Sequence, residues 1–299
     1  MKYLAGLIIS LFLQGQVFAA ITSTPLISLT FEGSMSDIER QTFIDAADYY
    51  NSVITGYDLV SDEQGNATPH SLNITAVIEP IDGQSGTLGS AGPTQTAYYD
   101  DNPFGPPTLF LFYSSEGRMR FDSADTGLLV ANNTFYAVVL HEMAHVLGFG
   151  NLWEANTNPG YNLYTTGSGE YYGANGLAKW QAEFNRPTDT FVPVELSGGL
   201  GTADGHWNES DDDGFTPTGF ISEDTGLDFA NELMTGWASN VFYVSTATLG
   251  AIDDLGYIVD YSKAGIIDHV VVVPEVSTTS LLFLSAACVF RRSRKSVRA

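Results

Sequence analysis

The sequence predicts an α+β fold in two lobes. The first, over about residues 20–150, is a mixed sheet with helices; the second, over about 151–262, is irregular and closes on a late helix. Three observations point there. A helical period over residues 36–54 is followed by short strand-like stretches, an almost wholly apolar helix runs up to Gly148, and residues 151–225 are rich in Gly, Asn and Asp.

Each element has its own signal. Ile38, Phe43, Ala46, Ala47, Tyr50 and Ile54 recur at roughly helical spacing, and Asp37 and Glu39 stand near the start of that helix. Residues 72–78 alternate or nearly so, 108–113 are apolar throughout, and 117–121 suit an edge strand. Gly- and Pro-rich stretches at 82–86 and 102–107 read as turns. Asn133 or Thr134 can cap the next helix, which is apolar almost all round, as a buried helix is, and Gly148 accepts the left-handed turn that ends it. Residues 177–184 form a shorter helical segment, and 245–256 read as a capped helix stopping at a glycine.

The ends of the 299-residue chain differ from its body. Lys2, a short apolar run and Val17-Phe18-Ala19 read as a signal peptide over residues 1–19, since the run is shorter than the ~20 residues that span a bilayer. Residues 273–299 form a tail in which an apolar stretch precedes Arg291, Arg292, Arg294 and Lys295, so membrane association is expected only there. Val273-Pro274-Glu275-Val276 resembles the start of the PEP-CTERM sorting signal, with Val276 where the motif has its second proline. That resemblance implies a sorting enzyme as partner and export to the surface or matrix of a Gram-negative bacterium. The body between, residues 20–272, reads as one catalytic domain. Six of the 12 basic residues lie in the two ends and all 35 Asp and Glu lie within 20–275, so that stretch carries 6 − 35 = −29. Such a charge excludes nucleic acid as a partner. The lone cysteine, Cys288, is in the tail, and no intramolecular disulfide forms.

The chemistry lies in His141-Glu142-Met143-Ala144-His145, inside the apolar helix. Residues four apart share a helix face, so both imidazoles can reach one ion while Glu142 stands beside it. A chance polar run is the bland alternative, but burying these groups among Val138, Val139, Leu140, Val146 and Leu147 without a partner would cost several kcal/mol, roughly the penalty that a bound Zn2+ offsets. A catalytic zinc needs a third protein ligand. Where compact metzincins have theirs, three residues past the glycine, this chain has Asn151. His70 lies in a polar loop and His269 opens an apolar run near the tail. His206, in a glycine-rich loop beside Trp207, is the best third ligand. Glu154, Glu170 or Glu183 would serve in a gluzincin-type site, Glu183 being the strongest of them.

The run from His141 to Phe149, the displaced His206-Trp207 and Glu232-Leu233-Met234-Thr235 together resemble the leishmanolysin family of metzincins. The resemblance covers about residues 36–261. It implies His141, His145 and His206 as zinc ligands, Glu142 as general base and Met234 as the methionine of a turn under the metal. The expected activity is that of a secreted zinc endopeptidase acting on protein or peptide through a zinc-activated water. The alternatives are a surface or matrix protein with a structural zinc, and a zinc hydrolase cutting a non-peptide bond. The eukaryotic members are rich in disulfides, which the body of this chain lacks. Asp211-Asp212-Asp213-Gly214 suits Ca2+ chemically, although its spacing fits no EF-hand and a solvated acidic loop explains it as well.

Overall fold

The computed structural model describes residues 26–57, 71–100, 110–156, 162–199, 201–210, 216–237 and 241–268. The expected leader and tail, His70, His269 and the acidic run 211–214 lie outside these residues.

The chain opens with strand β1 (Ile27–Glu32) and helix α1 (Asp37–Val53). Ser36 starts the helix. Its hydroxyl accepts the Glu39 amide at 3.2 Å while Glu39 accepts the Ser36 amide at 2.7 Å, which satisfies two backbone donors that a helix start leaves open. Phe43, Ala46, Ala47, Tyr50 and Val53 form its buried stripe. Then come β2 (Ile54–Tyr57), β3 (Leu72–Glu79), β4 (Gly89–Asp100), β5 (Phe110–Asp122), α2 (Thr126–Ala131) and α3 (Phe135–Leu147).

Four of these strands make one mixed sheet in the order β1-β3-β5-β4, with β1, β3 and β5 parallel and β4 antiparallel to β5. The parallel β1–β3 pair needs a crossover, and α1 supplies it. Here the structure corrects the sequence reading. Residues 110–113 and 117–121 fall on one strand, β5, and it lies inside the sheet because β4 covers its outer side; 108 and 109 lie outside the described residues. The sequence reading places no strand at β4, whose first half is broken by Gly89, Gly92 and Pro93; proline is tolerated there because β4 is an edge.

Helix α3 lies against β4 and β5, and every residue except Val138 and His141 is buried. It sits so close to β5 that a methyl at Gly117 would fall 2.1 Å from Val146 Cγ1. Two buried tyrosines fasten its backbone: Tyr50 donates to the Leu140 carbonyl at 3.0 Å and Tyr257 to the Leu147 carbonyl at 2.9 Å.

After α3 come β6 (Glu170–Tyr171), α4 (Ala174–Glu183), β7 (Val192–Pro193), β8 (Tyr243–Val244), α5 (Thr246–Asp253), β9 (Tyr257–Val259) and β10 (Gly265–Ile266), so among the described residues of 151–225 regular elements are few, as the sequence reading has it. Helices α4 and α5 touch at Gly176 and Gly250, where a methyl on Gly250 would meet the Asn175 and Gly176 backbone at 2.8 Å. Asp254, just past α5, caps α4 by accepting the Asn175 and Gly176 amides at 2.9 and 2.8 Å. The antiparallel pair β2–β9 ties the late chain back to the end of α1.

Candidate metal centre

Two of the sequence-predicted ligands come from one turn of α3. His141 and His145 project from the same face, and Gly148, at φ 115°, ends the helix in the left-handed conformation expected of it. Phe149 follows the reversal, and its carbonyl accepts from His145 Nδ1 at 2.9 Å. His141 Nδ1 donates to the Leu233 carbonyl at 2.7 Å.

His206 arrives from 61 residues further along. Gly150, at φ 71°, lets the chain after α3 touch the loop that carries it: a methyl there would lie 2.5 Å from the Gly205 carbonyl oxygen. Asp204, left-handed at φ 65°, accepts Tyr164 Oη at 2.5 Å and the Gly167 amide at 2.7 Å, which anchors the loop from its other side. His206 Nδ1 donates to the Thr202 carbonyl at 2.9 Å. Trp207 is fully buried and packs against Phe149 and Trp153, with ring centroids 5.0 and 5.2 Å away.

Because a carbonyl can only accept, each Nδ1 carries the proton and each Nε2 presents a lone pair. The three Nε2 atoms lie 2.9 Å (His141–His206), 3.1 Å (His141–His145) and 3.1 Å (His145–His206) apart. Three acceptors facing one another repel unless a cation lies among them, so this arrangement can hold a metal ion. Burial keeps the rings neutral, the ligand form. It pushes His141 down to about 3, with His206 adding to the effect, and lowers His145 and His206 as well. Among the described residues, these histidines are the only group of three or more metal-binding side chains so disposed.

Glu142 is 8% exposed, and burial pushes its carboxyl up to about 8. Its carboxylate lies against the backbone of Gly89 on β4, where a methyl would come within 3.2 Å of Cγ and Oε1. Met234 is fully buried; its carbonyl accepts the Trp207 amide at 2.9 Å, so it lies directly behind His206-Trp207.

The alternative ligands are engaged elsewhere. Glu183 accepts from Ser222 Oγ at 2.8 Å and from Thr246 N and Oγ1 at 2.6 Å each, capping α5. Glu170 accepts from Tyr172 Oη, and Glu154 is exposed after α3. Asn151 donates its side-chain amide to the His145 and Ala91 carbonyls at 3.1 and 3.3 Å, joining the helix end to β4. Sequence reasoning missed the roles of Gly150 and Asp204, whose contacts with Gly205 and with Tyr164 and Gly167 are distant in the chain; Glu232 entered it only as part of the motif 232–235.

Residues 116–291 match the peptidase family model described as Leishmanolysin. A leishmanolysin homolog from Crithidia fasciculata is similar to the chain, 32% identical over 134 residues, which cover 42% of the chain and 18% of that relative. The match thus spans less than a fifth of the relative's length.

Proposed function

Since the chain belongs to the leishmanolysin family, we propose that it is a zinc-dependent endopeptidase in which His141, His145 and His206 hold the metal and Glu142 is the general base. The observation that carries this is the convergence of three Nε2 lone pairs, two of them from the helix turn that also carries the buried Glu142. Nitrogens bound to one tetrahedral zinc at ~2.0–2.1 Å stand about 3.3–3.4 Å apart, close to the spacing found.

Bound there, zinc polarises the scissile carbonyl and lowers the pKa of the attacking water toward ~7. The remaining work falls to the chain. The Nδ1 bonds to Leu233, Phe149 and Thr202 carbonyls fix the tautomer and ring orientation of each ligand. Glu142, on the same helix face and short of water, takes the proton of the attacking water and returns it to the departing amine. Met234 serves as the turn methionine supporting the site from behind.

Strand β4 offers the substrate its place. It is the antiparallel edge of the sheet, and Gly89 brings its backbone against Glu142. An extended peptide adding to that edge by main-chain hydrogen bonds passes over the catalytic carboxyl. Export through the leader 1–19, sorting through the tail 273–299, and a surface or matrix location belong to the same proposal and rest on the sequence signals alone.

The test is metal content and casein cleavage by the full chain, wild type beside Glu142→Gln and His206→Ala. Wild type should carry one zinc and cut. Glu142→Gln should keep the zinc and lose about 10²–10⁴-fold in turnover, and His206→Ala should lose both metal and activity. An active Glu142→Gln protein, or zinc retained without His206, would overturn the assignment.

A further inference from the structure

Glu232 has an environment that the hydrolytic machinery leaves unexplained. Its side chain is fully buried, and no cation pairs with it among the described residues. Four donors hold it instead. Oε1 accepts from the Ser245 amide at 3.0 Å, Ser245 Oγ at 2.9 Å and Thr248 Oγ1 at 2.6 Å, while Oε2 accepts from the Met234 amide at 2.6 Å. A buried carboxylate is tolerated only when its lone pairs are filled in this way.

Those donors lead to two of the three histidines. Met234 and Glu232 flank Leu233, whose carbonyl accepts from His141 Nδ1 at 2.7 Å, so the bond from Glu232 to the Met234 amide sets the pose of that carbonyl. The hydroxyl of Thr248, which donates to Glu232, accepts the indole N–H of Trp207 at 2.8 Å. Trp207 adjoins His206, and its amide donates to the Met234 carbonyl at 2.9 Å. One carboxylate therefore links the loop that orients His141 to the indole that braces His206.

We propose that Glu232 is a positioning residue for the metal centre, fixing through Leu233 and through Thr248–Trp207 the directions in which His141 and His206 face a common ion. This inference rests on the zinc reading above and adds to it a residue that touches neither metal nor substrate. The competing role is a purely architectural one, in which Glu232 only anchors Ser245 at the start of α5.

The experiment compares full-length wild type, Glu232→Gln, Thr248→Val and Thr248→Ser. Three quantities are measured: the zinc dissociation constant by competition with a chromophoric chelator, the visible spectrum of the cobalt(II)-substituted protein, and the melting temperature without metal. Thr248→Val should weaken zinc about tenfold and shift the cobalt bands, and Glu232→Gln should do at least as much. Thr248→Ser, which keeps the hydroxyl, should restore both readouts to within about twofold. If Thr248→Val lowers the metal-free melting temperature but leaves zinc affinity and cobalt spectrum at wild-type values, the role is architectural and the inference falls. Should Glu232→Gln fail to fold, the Thr248 pair decides alone. A wild type that binds no stoichiometric zinc would sink the metal reading itself, and this inference with it.

Discussion

At Gly150 two requirements meet in one residue. Its φ of 71° disfavours any side chain, and a methyl would sit 2.5 Å from the Gly205 carbonyl oxygen, one residue from His206. The obstacle is backbone, which cannot rotate away, so Gly150→Ala must displace His206, the third ligand of the zinc site proposed above. Zinc affinity should drop by about 10–100-fold, the range seen when the support of a ligand is disturbed. Helix α3 and its two histidines would be untouched, so far-UV circular dichroism should be unchanged while chelator competition reports the loss; an unaltered zinc constant would refute this account. The same site shows what a sequence makes readable. His141, Glu142 and His145 were legible because their spacing and apolar setting are local, and His206 because its glycine-rich loop left few rivals. Glu232 stands in the motif 232–235, but its role was not legible, since beyond the nearby Met234 amide its donors Ser245 and Thr248 stand 13 and 16 residues away.

Elements show the same division between local and non-local causes. α1, α3 and α5 were readable because periodicity, Ser36, Gly148 and Ser245 are written within each helix. β4 was not, because Gly89, Gly92 and Pro93 have little strand preference of their own and the strand exists through its pairing with β5. The α4–α5 contact is of the second kind as well. Gly250 lies inside α5, where alanine would raise intrinsic helix stability by about 1 kcal/mol. Against that stands backbone of Asn175 and Gly176 only 2.8 Å from the added methyl, in a segment pinned by Asp254. Overpacking of this kind costs about 1–3 kcal/mol and a rigid neighbour places it at the upper end, so Gly250→Ala should destabilise the protein on balance. Thermal or urea unfolding checks the sign, and a stabilised variant would mean that the two helices separate easily.

For the molecule as a whole, charge dominates. The stretch 20–275 carries −29, and the described residues contain only three ion pairs, all partly exposed. Added salt should therefore raise the melting temperature, because screening relieves self-repulsion while costing little in salt bridges. The pH dependence follows from the buried groups. Burial pushes Glu232 up to about 7 and Asp254 up to about 6, so between the ordinary carboxyl value and these the folded chain keeps protons that the unfolded chain has released. Their contribution to stability is complete below about pH 4.5 and is lost as pH rises through 6 and 7. The three histidines act the other way. Their folded values lie below the ordinary 6.5, so their contribution is present above 6.5 and lost in acid. Between about pH 4.5 and 6.5 the two sets oppose one another, whereas from about 6.5 to 8 the histidines are neutral in both states and only the carboxyls titrate. Zinc-free protein should accordingly melt at progressively lower temperature from pH 6.5 to 8 and again below pH 4.5, with its maximum between. A melting temperature that climbs from pH 6.5 to 8 would show that the buried carboxyls ionise at no cost to the fold.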